Sequence, residues 1–185
     1  LNPATYKLIG NVYRKFAERE EWARPSSPVT EAAVVTPEDE IKGGIPECIR
    51  GAAQMLEELA VQFDIIDTEY DFSGYKLIIL PEGLKISEDY AAKLEAFARN
   101  GGKIISISDG GLCNGNYPAF FGADYSPHPE SCDFAVANEL IGKELWKGNE
   151  FVMQLSSAEI TPKAGAEILM EASSPYFYRH GASFC

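Results

Sequence analysis

Leu77-Ile78-Ile79-Leu80-Pro81, followed by Ser87-Glu88-Asp89-Tyr90 and then by Asn100-Gly101-Gly102-Lys103-Ile104-Ile105-Ser106-Ile107, decides the fold class. Four consecutive aliphatic residues stopped by a proline describe a short strand buried on both faces, the habit of parallel sheets. Ser87 is a helix N-cap, and Glu88 and Asp89 sit in the first turn, at the positive end of the helix dipole. Tyr90, Leu94 and Phe97 then form an apolar stripe flanked by Ala91 and Ala98. Arg99 falls in the last turn, and Gly101 supplies a left-handed stop. A second apolar run at 103–107 completes a strand–helix–strand unit.

The same grammar holds upstream. Ala32-Ala33-Val34-Val35, ending at Thr36-Pro37, reads as a first buried strand, and Phe63-Asp64-Ile65-Ile66 as a second. Between them lie an acidic, glycine-bearing loop at 37–44 and a helix opening at Pro46. Ile45, Ile49, Ala52, Leu56, Leu59 and Ala60 share one face of that helix. The order strand, helix, strand, strand, helix, strand predicts an open α/β sheet with mainly parallel pairing, flavodoxin-like in build. Further out, Asn2 caps a helix with Pro3 at its first position, and Tyr6, Ile9, Tyr13 and Phe16 recur at helical spacing. That helix should end before Arg24-Pro25-Ser26-Ser27-Pro28. Downstream, 109–130 reads as a long glycine- and proline-rich loop, with later strands expected at 133–136, 150–155 and 166–170.

The chain has 185 residues, 45% hydrophobic and 24% charged, within the range of one folded domain or a domain with an appendage. A net charge of −12 argues against nucleic acid and against an anionic membrane surface. No apolar run approaches the roughly 20 residues that span a bilayer. Asn2-Pro3-Ala4-Thr5-Tyr6 lacks the basic and apolar regions of a signal peptide, so a cytoplasmic setting is expected. Cys48, Cys113, Cys132 and Cys185 form no CxxC pair, and they are read as free thiols, with no metal and no cofactor expected. The aromatic-rich end, Tyr176-Phe177-Tyr178-Arg179-His180, suggests a domain cut from a longer polypeptide. On this reading 1–28 is a linker helix and loop, 29–175 the α/β domain, and 176–185 the start of the next segment.

Tyr75-Lys76-Leu77-Ile78-Ile79-Leu80-Pro81, Ile86-Ser87, Lys93-Leu94-Glu95-Ala96-Phe97 and Asn100-Gly101-Gly102-Lys103-Ile104-Ile105 together resemble the β-galactosidase trimerisation-domain family. The resemblance runs from about residue 32 to residue 111. That family is the middle domain of certain microbial β-galactosidases and related glycoside hydrolases. The resemblance implies a three-layer fold similar to class I glutamine amidotransferases. It also implies an accessory role: shaping subunit contacts within a homo-oligomeric parent, touching its other domains, and bordering a carbohydrate site without chemistry of its own. Asn2-Pro3-Ala4-Thr5-Tyr6 with Val12-Tyr13 is similar to the linker helix after the catalytic barrel of such proteins, and Pro175-Tyr176-Phe177-Tyr178-Arg179 to a segment running on into a longer chain.

A rival, catalytic reading rests on Gly111-Leu112-Cys113-Asn114-Gly115, which carries the G-x-C-x-G letters of an amidotransferase nucleophile turn. His128 and Glu130 would be base and orienting carboxylate. Such a nucleophile must sit directly between a strand and a helix, whose amides form the oxyanion hole. Here the strand ends near Ser108, and Asn116-Tyr117-Pro118 is poor helix material. The nucleophile position falls closer to Asp109, so the accessory reading leads. A third reading has Asp109, Gly110 and Gly111 cradle an anion or sugar at the sheet's carboxyl edge, against the plainer one of a turn needing positive φ. Asp64, Asp67, Glu69 and Asp71 are read as a solvated rim rather than a catalytic pair. Phe120, Phe121 and Tyr125, with Tyr117, are expected to form a small core under their loop or to face a partner. Tyr176 and Phe177, like Trp22 and Trp146, are further interface candidates.

Overall fold

The computed structural model describes residues 2–24, 26–37, 46–127, 134–137, 150–152 and 158–173. The chain divides into two compact units, Leu1–Thr30 and Glu31–Cys185. In the first, helix α1 (Pro3–Ala17) is capped by the Asn2 side chain, which accepts from the Ala4 N–H at 3.0 Å. A turn at Glu18 separates α1 from the one-turn helix α2 (Glu20–Ala23). Tyr6, Ile9, Tyr13 and Phe16 lie along α1 as the spacing predicts, and all four are exposed.

The second unit is built on a four-stranded sheet. Strand β1 (Ala32–Val35) leads to helix α3 (Glu47–Glu58) and strand β2 (Phe63–Ile66). Strand β3 (Leu77–Leu80), helix α4 (Glu88–Arg99) and strand β4 (Lys103–Ser106) follow. All pairings are parallel, in the order β2-β1-β3-β4, which is the flavodoxin-like arrangement. Side chains alternate across each strand. Val34 and Ile79 therefore pack with Ile49, Ala52 and Leu56 of α3 on one face. Ala33, Val35, Ile78 and Leu80 pack with Tyr90, Leu94 and Phe97 of α4 on the other. The result is a three-layer α/β fold whose two cores lie on either side of β1 and β3.

Both helices stop in left-handed turns. Gly101 ends α4 at φ +94°, with Gly102 N–H bonded to the Phe97 carbonyl. Helix α3 ends the same way on Ala60, at φ +54°, with Val61 N–H bonded to the Leu56 carbonyl. Leu59, expected on the buried face of this helix, caps its C-terminus instead and is exposed, because the chain has already begun to turn away from the sheet.

The later chain is antiparallel. After the 3₁₀ turn Ala119–Phe121 come β5 (Ala123–Ser126), β6 (Phe134–Ala137), β7 (Glu150–Val152), β8 (Glu159–Pro162) and β9 (Met170–Ser173). β5 pairs with β8, and β6 lies between β7 and β9. Two expected strands are found within a residue or two of their predicted starts. The one expected at 166–170 begins at its last residue, behind a turn at Gly165. β5 and β8 lie where sequence reading gives only loop. Both are short; β8 is exposed throughout, and β5 alternates half-buried and exposed residues over only four positions.

Candidate functional site

The crossover through α3 carries the chain outward from β1 to β2, and the crossover through α4 carries it the other way, from β3 to β4. The β1–β3 junction is thus the topological switch point, where open α/β sheets hold ligands at their carboxyl edge. Here that edge is closed by its own groups. Asp109 Oδ1 accepts from the Gly83 N–H at 2.7 Å, and Oδ2 pairs with the Lys85 ammonium. Burial pushes the Asp109 carboxyl up, but the Lys85 and Gly83 donors outweigh it and hold the group below its ordinary 3.8. The loop after β3 is thereby tied to the loop after β4.

The glycines beside Asp109 are fitted to protein neighbours. A Cβ on Gly110 would lie 2.4 Å from the carbonyl oxygens of both Leu80 and Pro81. Gly111 has φ +81°, and a Cβ there would meet Leu80 Cδ1 at 2.7 Å. Ser106 Oγ donates to the Gly110 carbonyl at 2.6 Å, and the Tyr117 hydroxyl donates to the Ser108 carbonyl. Ser108, with φ +52°, occupies the bend directly after the fourth strand.

Cys113 lies elsewhere. Its N–H donates to the Asn116 carbonyl at 2.8 Å, and its carbonyl accepts from the Asn116 N–H at 3.1 Å. With Asn114 at φ +52° and Gly115 at +81°, this is a tight turn of the I′ type, for which Asn-Gly is the preferred dipeptide. The G-x-C-x-G letters therefore spell a hairpin turn with no helix behind it. Cys113 is half-buried against the α4-side core. His128 and Glu130 lie outside the described residues, as do Tyr176, Phe177, Trp146, Cys132 and Cys185. Cys48 opens α3, and burial raises its thiol above 9.0 against opposing backbone donors, with the Glu82 and Asp109 carboxylates adding to the rise. A thiol so placed stays protonated at neutral pH.

The rim carboxylates build turns. Asp67 accepts from the Glu69 and Tyr70 amides, each at 2.9 Å, and Asp71 accepts from the Ser73 amide at 2.9 Å. Asp64 accepts from the Tyr75 hydroxyl at 2.8 Å. Burial first, and this bond second, push that phenol up to about 12. Among the described residues no three His, Cys, Asp or Glu side chains gather as metal ligands, and no helix is long and apolar enough to cross a membrane.

Tyr117, Phe120, Phe121 and Tyr125 form one aromatic cluster, with ring centroids 4.8–5.7 Å apart. Phe120 and Phe121 also pack against the α4-side core. Beside this cluster a cavity of about 360 Å³ runs along β4, lined by Ile104, Ser106, Tyr117, Phe120, Phe121 and Ile160 among others. Sequence reading named the aromatics and Asp109. It missed Lys85 and the anchoring role of Tyr117, and its one available clue to the turn was the Asn114-Gly115 pair.

Residues 54–123, from the middle of α3 through β4 to the start of β5, match the family described as the β-galactosidase trimerisation domain. The β-galactosidase BgaP of Planococcus sp. is 39% identical over 70 residues, covering 34% of this chain and 10% of that protein. The β-galactosidase GalA of Bacillus licheniformis is 35% identical over 69 residues, covering 37% of this chain and 10% of that protein. The chain thus corresponds to about a tenth of the length of these relatives. Among solved structures, α-L-fucosidase isoenzyme 2 from Paenibacillus thiaminolyticus superposes over 100% of this chain and 29% of its own, with TM-score 0.73 and 27% identity. The β-galactosidase from Bacillus circulans sp. alkalophilus covers 81% of this chain and 26% of its own, with TM-score 0.57; at 19% identity it speaks for the fold. The segment that builds β3, α4, β4 and the loops closing the sheet's carboxyl edge is thus the part of the chain that is similar to the β-galactosidase trimerisation domain.

Proposed function

We propose that this chain is the accessory domain of a larger glycoside hydrolase, holding subunits or neighbouring domains together and bordering a carbohydrate site while performing no chemistry itself. The observation that carries this reading is the family match at 54–123, which falls on the strands and loops that would otherwise form a catalytic edge. The engaged state of Asp109 and the turn geometry at Cys113 support it. Domain limits of 1–28, 29–175 and 176–185 belong to the same proposal, as does a reducing, cytoplasmic setting, which suits the free thiols Cys48 and Cys113. The interface would draw on the aromatic loop 117–125 and the segment holding Tyr176 and Phe177.

The parent's substrate has two readings. The sequence relatives favour a β-galactoside. The superposition of the whole chain on an α-L-fucosidase favours an α-L-fucoside. Assays of the parent with nitrophenyl β-D-galactoside and nitrophenyl α-L-fucoside separate them. Residues 1–185 alone should turn over neither glycoside and should release no ammonia from glutamine. In the parent, Cys113→Ser should leave kcat/KM within about twofold, since no step is assigned to the thiol. A large loss of kcat in a folded Cys113→Ser parent would revive the catalytic reading.

A further inference from the structure

Strand β4 forms one edge of the parallel sheet, and among the described residues no strand pairs with its outer side. Lys103 N–H bonds the Lys76 carbonyl and Ile107 N–H the Leu80 carbonyl. In a parallel ladder alternate residues face the same neighbour, so the backbone groups of Ile104 and Ser106 point away from β3. An edge of this kind is a template for a further strand, and proteins ordinarily blunt it with proline or a cover. β4 contains no proline.

Two observations indicate what the edge is shaped for. On the α4 side, the cavity of about 360 Å³ runs beside β4, with apolar walls from Ile104, Phe120, Phe121 and Ile160. On the α3 side, Ile105 is 47% exposed although its strand neighbour Ile107 packs in that core. The sheet order β2-β1-β3-β4 is that of a flavodoxin-like sheet lacking its fifth strand, which belongs beside β4 and parallel to it. The chain's own next strand, β5, does not fill this place; it pairs antiparallel with β8.

We infer that the outer edge of β4 receives a parallel strand from another part of the same polypeptide, with apolar side chains entering the cavity and its connection covering Ile105. Right-handed crossover geometry requires a connection of a dozen or more residues, and the chain covers only 10% of the β-galactosidase BgaP and 29% of the α-L-fucosidase it superposes on. A second copy fits less well. A two-fold pairing of β4 with itself would be antiparallel, against the order of the sheet. The inference rests on the reading of the chain as one domain of a longer protein.

Amide hydrogen exchange on the full-length parent tests it. The Ile104 and Ser106 amides should exchange at least 100-fold more slowly than an open strand edge, and this protection should persist on dilution. Ala123→Trp, which fills the cavity, should lower the parent's unfolding temperature by 5 °C or more, because the incoming side chains lose their space. Exchange at the open-edge rate, protection that vanishes as the parent dissociates, or an Ala123→Trp parent of unchanged melting temperature would overturn it. A parent that hydrolyses glycosides yet shows open amides would discard the strand and leave the accessory-domain reading intact.

Discussion

Gly110 is the residue where backbone leaves least room. Its missing Cβ would sit 2.4 Å from two main-chain carbonyl oxygens at the end of β3, and neither can swing aside as a side chain could. Gly110→Ala should therefore destabilise the domain by about 3 kcal/mol, the upper part of the range for overpacked sites, as read from denaturant midpoints. Asp109, next to it, makes a pH prediction. Its folded pKa is depressed below 3.8, so the stability it contributes is fully present above that value and is lost as pH falls through the folded pKa. Asp109→Asn should flatten the acid limb of the stability profile below about pH 4 and leave its slope near pH 7 unchanged. An unaltered acid limb would mean that the pairing with Lys85 and Gly83 adds nothing to folding.

At the scale of elements, the two helix stops invite a comparison. Gly101 adopts a left-handed turn without steric penalty, whereas Ala60 adopts the same turn with a Cβ in place. Ala60→Gly should stabilise the domain by about 1 kcal/mol, seen as a higher midpoint with an unchanged denaturant slope. The elements legible in the sequence are those whose pattern repeats a burial pattern. Ala32–Val35 and Leu77–Leu80 are apolar throughout because both faces are covered, and Tyr90, Leu94 and Phe97 mark the buried stripe of α4. β5 and β8 are illegible because each is four residues long and their pairing is decided by long-range register, with β8 exposed throughout and only Ala123 and Tyr125 of β5 half-buried. The candidate site was legible in part for a similar reason. Asp109 could be placed from the strand end before it. Its partner Lys85 lies 24 residues away in the chain, at a distance no local pattern records.

For the molecule as a whole, both cores of the second unit are composed of residues from Ala32 onward. The spatial order β2-β1-β3-β4 also has a consequence in time. β1 is the first strand of this sheet to be made and one of the most deeply buried, yet both of its partners lie later in the chain. Leu80, the end of its second partner, follows Val35 by 45 residues, so at about 5–20 residues per second a nascent chain carries the wholly apolar β1 without its full pair of neighbours for about 2–9 s. During biosynthesis this strand stands in need of shelter by a chaperone and is open to pairing with a neighbouring nascent chain.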